Sequence, residues 1–199
     1  MRVFLVATAI LAPGITFFQF APQAIRAYRT SRNGISLGTW AFFTSITASW
    51  LAYGFSQRVL PLILVNLATG PAAWAILARL GTIRALRSRV VLSFLAAPVS
   101  ALLITIYPHV LVYVLSLTEV VALLPQLRGT YTTTDLAGVS VATWAITCLA
   151  QTLWGIYGLL AHQWALSMGG FLGALVALLI VRRLRIIENK VPQGPAVTV

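Results

Sequence analysis

The sequence predicts an all-α integral membrane protein with seven transmembrane helices, arranged as two parallel three-helix bundles joined by a linker helix. Hydrophobic residues make up 59% of the chain, only 9% are charged, and the mean hydropathy is +0.91. This composition leaves too little polar surface to cover a soluble globule. Apolar runs near the roughly 20 residues that a bilayer requires recur along the chain. A long segment of the first half also recurs in the second.

Seven apolar runs are long enough to form spanning helices, and the connections between them are short. The runs leave no room for a separate domain outside the membrane. The predicted helices cover residues 3–25, 36–56, 59–78, 90–107, 110–127, 139–160 and 164–182.

The repeat is an ungapped alignment of residues 34–54 on residues 138–158, in which eight of 21 positions are identical. A long period with this much identity indicates an internal duplication. Each copy holds three helices, and three is an odd number, so a single linking helix is needed to make the copies parallel. We therefore expect a first bundle at 1–80, a linker with the fourth helix at 81–108, a second bundle at 109–187 and a disordered tail at 188–199.

The basic residues that give the net charge of +11 lie mostly on one side of the predicted membrane. Of the fourteen Lys and Arg residues, twelve follow the first, third, fifth and seventh predicted helices, and only Arg2 and Arg58 lie at the opposite ends. By the positive-inside rule, the N-terminus is outside and the C-terminus is cytoplasmic. No nucleic-acid-binding motif accompanies the charge, so nucleic acid is not an expected partner.

A proline-glutamine pair occurs in each copy, at Pro22-Gln23 and at Pro125-Gln126. Proline within a helix removes one backbone donor and displaces the carbonyl four residues earlier. We expect the same hinge in both copies, with the glutamine amide as one partner of the freed carbonyl.

Four side chains are predicted to meet in one central cavity. With a helical rise of about 1.5 Å per residue, Trp50, Asn66, Trp154 and Glu119 lie at depths of roughly 9 to 14 Å from the outer surface. The two tryptophans offer flat walls for a ring-shaped solute, and asparagine offers a donor and an acceptor. Two other roles stay open: tryptophan also anchors helices at interfaces, and a buried amide also joins helices together.

Glu119 is an acidic residue within a predicted membrane helix, where an ionisable group indicates function by default. It could bind a proton, face a cationic or hydroxyl-rich solute, or cap a carbonyl as a neutral acid. It aligns with Thr16 at a shift of 103 residues, so the two copies differ here.

The remaining polar groups do not predict an enzyme. His109 and His162 lie in predicted loops without a matched ligand set, and no metal site or cofactor is expected. Tyr53 and Tyr157, each followed by glycine near the outer helix ends, could close an outer gate or anchor their helices at the interface.

The chain resembles the PQ-loop transporters, in the branch of the SWEET and SemiSWEET sugar carriers. The resemblance is strongest in residues 50–70, where Trp, Tyr-Gly, Leu-Pro and Asn follow in the family's order and Trp50 and Asn66 keep its spacing of 16. It implies transport by alternating access, with the Pro-Gln segments as hinges of the cytoplasmic gate. Trp50, Asn66 and Trp154 match substrate-binding residues of the family.

The second copy departs from the family pattern, because Gly170 stands where the second asparagine is expected. We expect Glu119 to take over this position from another helix, with Thr16 as its counterpart in the first copy. This departure affects sugar specificity more than transport.

These observations favour a passive sugar carrier in a bacterial plasma membrane, acting as a monomer because two repeats enclose one pathway. The alternative within transport is a proton-coupled carrier of amino acids or cationic metabolites that uses Glu119. A sorting receptor that moves no solute is a third hypothesis, disfavoured because the arginines cluster at helix ends.

Overall fold

The computed structural model describes residues 2–81, 103, 107–133 and 135–190. The regular secondary structure of these residues is helical. The predicted fourth helix, with the linker that contains it, lies outside the described residues except at 81, 103, 107 and 108. The helices are α1 (Arg2–Phe18), α2 (Ala21–Arg29), α3 (Leu37–Ser56), α4 (Leu60–Leu80), α5 (Pro108–Thr132), α6 (Val141–Leu160) and α7 (Trp164–Lys190).

Most predicted helix boundaries agree with the structure within two residues. The largest differences are at the C-terminal ends of α5, which continues to Thr132, and α7, which continues to Lys190. The boundary of the predicted tail at residue 188 is therefore wrong, because residues 188–190 are helical; residues 191–199 lie outside the described part. Arginine and glutamate side chains make this end of α7 polar, which is why an apolar run ends earlier than the helix does.

The two Pro-Gln segments differ in backbone structure. In the first half, residues Gln19 and Phe20 interrupt the helix, and Pro22 lies at the start of α2, where a missing N–H removes no helical hydrogen bond. In the second half, α5 continues through Pro125. The prediction that both copies build the same hinge is therefore wrong for the backbone.

Within the described residues, four helical segments are long and apolar enough to cross a membrane: Arg2–Arg29, Leu62–Leu80, Val110–Thr132 and Trp164–Asn189. They identify the chain as a multi-pass integral membrane protein. Helix α3 is richer in hydroxyl side chains. In both α3 and α6, hydroxyl groups bond carbonyls of their own helix, as Thr47 does to Phe43 at 2.7 Å and Thr147 to Thr143 at 2.8 Å. Such bonds satisfy a hydroxyl group within an apolar environment.

The same packing pattern occurs in both halves of the chain. In the first half α4 packs against both α3 and α1, and in the second half α7 packs against both α6 and α5. Between the halves, α1 packs against α6 and α3 packs against α5. The first helix of each half thus contacts the second helix of the other half.

Local details repeat with the same spacing. Ser36 and Ser140 cap α3 and α6 by accepting a hydrogen bond from the backbone N–H three residues later, at 3.2 and 3.3 Å. The turns after these helices place Arg58 and His162 at φ values of 55° and 56°. These pairs extend the correspondence of the two halves beyond side-chain identity.

A cation–π contact also recurs on α4 and α7. The Arg79 guanidinium lies 5.8 Å from the ring centre of Tyr28, and that of Arg183 lies 4.9 Å from the ring centre of Tyr131. The tyrosines are 103 residues apart in sequence and the arginines 104, which are the shifts found between the copies. The first contact joins α2 to α4, and the second joins α5 to α7.

Candidate functional site

One end of the molecule carries the two segments that precede α3 and α6, and we call it the loop end. There the amide of Gln23 reaches the opposite half of the chain. Its Nε2 donates to the Gly138 carbonyl at 2.7 Å, and its Oε1 accepts from the Ser140 N–H at 2.9 Å. Gln23 is 1% exposed, so these bonds are shielded from water.

Gln126 makes the equivalent bonds in the reverse direction. Its Nε2 donates to the Gly34 carbonyl at 2.9 Å, and its Oε1 accepts from the Ser36 N–H at 2.7 Å. The expectation that each glutamine satisfies the carbonyl freed by its own proline is therefore wrong. Both amides are used instead to join the halves, and we call this pair of contacts the glutamine clasp.

The loops also contact each other directly around the clasp. Asn33 Nδ2 donates to Asp135 Oδ2 at 2.6 Å, and Gly138 N donates to the Asn33 carbonyl at 3.0 Å. Arg26 Nε donates to the Ala137 carbonyl at 2.8 Å. Hydrogen bonds from the Ala137 N–H and from Asn33 hold the pKa of Asp135 below its ordinary value. The loop end is thus closed by contacts between the halves.

Glycine is required where the loops approach most closely. Gly34 adopts φ of 77°, and a Cβ there would lie 2.7 Å from the Asp135 carbonyl oxygen. A side chain would be strained by the left-handed backbone and excluded by the facing loop. The identity of glycine in both copies at this position therefore reflects the close contact of the loops.

The opposite end carries the short turns after α3 and α6, and we call it the turn end. A cavity of about 140 Å³ extends inward from it, with Val59 and Gln163 of these turns in its wall. Its aromatic lining consists of Trp50, Tyr53, Trp154 and Tyr157. We call it the outer compartment.

A second cavity of about 50 Å³ adjoins the first and reaches towards the middle of the molecule. Four side chains line both cavities and so form the neck between them: Trp50, Leu62, Trp154 and Leu166. We call the second cavity the inner compartment. The polar side chains in its wall are those of Thr16, Asn66, Glu119 and Gln151.

The sequence-based candidates are thus brought together at one place. Trp50, Asn66, Trp154, Glu119 and Thr16 line the inner compartment although they come from five different helices. Gln151 was missed. It is an amide in an apolar helix one turn before Trp154, and the reasoning that singled out Asn66 would have found it.

Each tryptophan at the neck is held edge-on by the tyrosine three residues later. The ring centres of Trp50 and Tyr53 are 5.7 Å apart at 88°, and those of Trp154 and Tyr157 are 5.8 Å apart at 86°. Such edge-to-face pairs restrict the ring orientation. The tyrosines lie on the turn-end side of the tryptophans, in the wall of the outer compartment.

The second half supplies a polar pair that the first half lacks. Gln151 Nε2 donates to Glu119 Oε1 at 2.8 Å, and position 151 corresponds to Thr47 in the first copy. The Asn66 amide of the first half donates to the carbonyl of Leu62 in its own helix at 2.8 Å. Two polar side chains of each half therefore line the inner compartment, Thr16 and Asn66 from the first and Glu119 and Gln151 from the second, with different chemistry.

Thr16 positions the tryptophan of the opposite half. Trp154 Nε1 donates to Thr16 Oγ1 at 2.9 Å, and Thr16 donates in turn to the Ala12 carbonyl at 2.7 Å. Both ends of this relay are satisfied, so Thr16 acts on the ring plane of Trp154.

Gly170 does not line the cavity. It lies where α7 crosses α6, and a Cβ at this position would lie 2.5 Å from the Gly155 N and 2.7 Å from the Gln151 carbonyl oxygen. Asparagine cannot occupy this position without separating the helices. The expectation that Gly170 contributes to the binding surface is therefore not met, because Gly170 packs against the backbone of α6.

No family model matches the chain. Over 63 residues, which are 31% of the chain, the sequence is 35% identical to a protein of Escherichia coli (strain UMEA 3162-1) described as the sugar transporter SemiSWEET. The aligned segment spans 71% of that relative.

Proposed function

Because the chain belongs to the SemiSWEET family of sugar transporters, we propose that it is a facilitator that carries a sugar across the membrane by alternating access. The observation that supports this most is the position of Trp50, Asn66 and Trp154 around one cavity. This cavity adjoins the outer compartment, which extends towards the turn end, while contacts between the halves close the loop end. A cavity with access from one side is what alternating access requires of each of its states.

The proposed architecture is two parallel three-helix repeats joined by a linker, with the first bundle at 1–80 and the second beginning at 109 and continuing to Lys190 at the end of α7. The reciprocal packing of α1 on α6 and α3 on α5 supports it. The relative's aligned 63 residues are 71% of its length, so it has about 89 residues, less than half of this chain. Two repeats in one chain enclose a pathway, and we propose a functional monomer.

The positive-inside rule assigns the loop end to the cytoplasm, because the arginines cluster there, and the turn end to the outside. The N-terminus is then outside, the C-terminus is cytoplasmic, and the protein resides in a bacterial plasma membrane. In this orientation the structure corresponds to a state with access from outside.

Two gates follow from this orientation. The glutamine clasp, with the adjacent Pro22 and Pro125, forms the cytoplasmic gate, and its two amides must leave the opposite loops before a solute can pass. Tyr53 and Tyr157 form the outer gate, because they lie in the wall of the outer compartment. Opening of one gate with closure of the other moves the solute past the neck.

The binding site combines stacking with hydrogen bonding. The indole rings of Trp50 and Trp154 provide flat apolar surfaces on which a sugar ring can stack. The Asn66 amide has one N–H and its carbonyl oxygen left for the solute after bonding Leu62. This combination suits a ring with hydroxyl groups on its edge and C–H groups on its face.

Counterflow in proteoliposomes tests the proposal. Vesicles loaded with unlabelled glucose or sucrose should accumulate the labelled sugar transiently, and Asn66→Ala should abolish this exchange. Asn189→Ala is the matched control, because Asn189 is exposed at the end of α7 and its loss should have no effect. Absence of exchange for every sugar tested would refute the proposed function.

The pairing of Glu119 with Gln151 favours a second candidate, a proton-coupled carrier of amino acids or cationic metabolites. An ionisable group at this depth can carry a proton between the two faces. Glu119→Gln removes the titratable group while keeping the shape of the side chain. If the variant keeps the uptake rate and its pH dependence, proton coupling through Glu119 is excluded.

A further inference from the structure

The inner compartment offers more hydrogen-bond acceptors than donors. Trp154 Nε1 is bonded to Thr16, and the Thr16 hydroxyl donates to Ala12. The Gln151 amide donates one of its two N–H groups to Glu119. The free acceptors are the carbonyl oxygens of the Asn66 and Gln151 amides, with two lone pairs each, and the carboxyl group of Glu119. The free donors are one N–H group on each of these two amides.

The ionisable group of this compartment also has no positively charged partner among the described residues that line it. Among the described residues that line it, Glu119 is the one ionisable group, and its hydrogen-bond partner Gln151 is neutral. A carboxylate removed from water without a positive partner is strongly disfavoured. A cationic group on the solute would complement both the acceptor excess and the charge.

The sizes of the two compartments indicate how a solute is divided between them. The inner compartment, at about 50 Å³, has space for a few water-sized groups. The outer compartment is larger, at about 140 Å³, and is lined by aromatic rings. The neck tryptophans, Trp50 and Trp154, line both. A ring therefore fits on the outer side of the neck, with one polar substituent directed inward.

We propose that the preferred solute is a monosaccharide with a primary ammonium group, which enters the inner compartment against Glu119 and Gln151 while the ring stacks at Trp50 and Trp154. An ammonium group has three donors and no acceptor, whereas a hydroxyl group has one donor and two acceptor lone pairs. The ammonium group is thus the better match to an acceptor-rich site. This inference rests on the proposed sugar transport and names its substrate class.

The test uses the full-length chain in proteoliposomes with three sugars: glucose, glucosamine and N-acetylglucosamine. Glucosamine differs from glucose by one substituent, and acetylation removes the charge of the amine. We expect glucosamine to half-saturate exchange at a concentration lower than glucose by about tenfold or more, which is the range for one charged hydrogen bond. N-acetylglucosamine should lose this advantage.

Variants at the carboxyl group assign the preference to it. Glu119→Gln should lower the ratio of glucosamine to glucose affinity by about tenfold, and Glu119→Asp, which keeps the charge, should retain part of it. Thr118→Val is the control on the same helix, because the Thr118 hydroxyl bonds the Val114 carbonyl of its own helix at 2.7 Å. It should leave the ratio unchanged.

The outcomes separate this inference from the proposed function. Equal affinity of the wild-type protein for glucose and glucosamine would overturn the inference and leave sugar transport in place. An equal loss for both sugars in Glu119→Gln would also overturn it, because it would mean that Glu119 acts on the fold alone. Failure to exchange any of the three sugars would refute the proposed function and the inference with it. The comparison of three sugars on the wild-type protein does not depend on any variant.

Discussion

Gln23 and Gln126 hold the same place in the two halves, and each binds the loop of the opposite half with both polar atoms of its amide. The partners also correspond, since Gly34 and Ser36 match Gly138 and Ser140. Each glutamine amide links a carbonyl of the facing loop to the N–H two residues later. These two hydrogen bonds fix the conformation of the loop as well as its position. The clasp therefore depends on the two halves being in contact.

Replacement of Gln23 by leucine should weaken the closed loop end. The Gly138 carbonyl and the Ser140 N–H would each be left without a partner, at a cost of about 1–3 kcal/mol per buried group. Because water can satisfy these groups only when the loops separate, the variant should populate a state open at the loop end. A cysteine at position 139, which is 2% exposed as valine in the closed structure, should then react faster with maleimide.

The experiment is made in a Cys148→Ala background, which removes the one native thiol. Gln57→Leu is the matched control, because its exposed amide bonds the neighbouring Ser56 side chain. The control should leave the reaction rate unchanged. Equal rates in Gln23→Leu and the control would contradict a role for the clasp in closure.

The contact of Asp135 with the opposite loop should respond to pH only under strongly acidic conditions. Bonds from the Ala137 N–H and from Asn33 lower the pKa of Asp135 below its ordinary value of 3.8. A lowered pKa stabilises the folded state above the ordinary value, and this contribution is lost as the pH falls through the folded-state pKa. The difference in thermal midpoint between the wild-type protein and Asp135→Ala should be constant from about pH 5 to 8 and should decrease only as the pH falls below the ordinary value of 3.8. A difference that changes between pH 6 and 8 would assign the effect to another group.

Much of the fold could be predicted because it depends on signals that are local in sequence. Apolar runs and the Ser36 and Ser140 caps define α3 and α6, and a fixed shift of 104 residues relates them. The break before Pro22 and the continuous helix through Pro125 could not be distinguished. Both segments have the same Pro-Gln pair, and the backbone that each adopts depends on packing against other helices.

The candidate site could be predicted in part for the same reason. Helical rise alone was sufficient to bring Trp50, Asn66, Trp154 and Glu119 to a similar depth. It could not indicate that Gly170 packs against Gly155 or that Gln151 faces Glu119, because these relations depend on how α5, α6 and α7 rotate about their axes. The partners of Gln23 and Gln126 lie more than 85 residues away in sequence, so no local pattern specifies them.

Restoring an asparagine at position 170 should destabilise the protein. The Cβ would lie 2.5 Å from the Gly155 N, so α6 and α7 would have to separate, and overpacking of this kind typically costs about 1–3 kcal/mol or more. For a chain of this size each kcal/mol lowers the thermal midpoint by about 2–4 °C. The midpoint in detergent measures the effect.

Gly129→Ala is the matched control for this change. Gly129 lies within α5, and a Cβ there would meet nothing within 4 Å. Alanine should therefore stabilise the helix slightly, by about 0.5–1 kcal/mol, because it restricts the unfolded chain. A higher midpoint for Gly170→Asn than for the wild-type protein would show that α6 and α7 are not in close contact.

Thr16→Val should weaken solute binding through the orientation of Trp154. Valine keeps the shape of threonine but cannot accept the indole N–H that now lies 2.9 Å from Thr16 Oγ1. The net loss of one hydrogen bond is about 1 kcal/mol, or roughly a fivefold increase in the half-saturation concentration of sugar exchange. The maximal rate should change less, since the residues of the proposed gates are unchanged. Thr8→Val is the control about two turns earlier in α1, because the Thr8 hydroxyl bonds the Phe4 carbonyl of its own helix at 2.9 Å. If both variants change the half-saturation concentration equally, the effect comes from α1 as a whole and Thr16 has no specific role at Trp154.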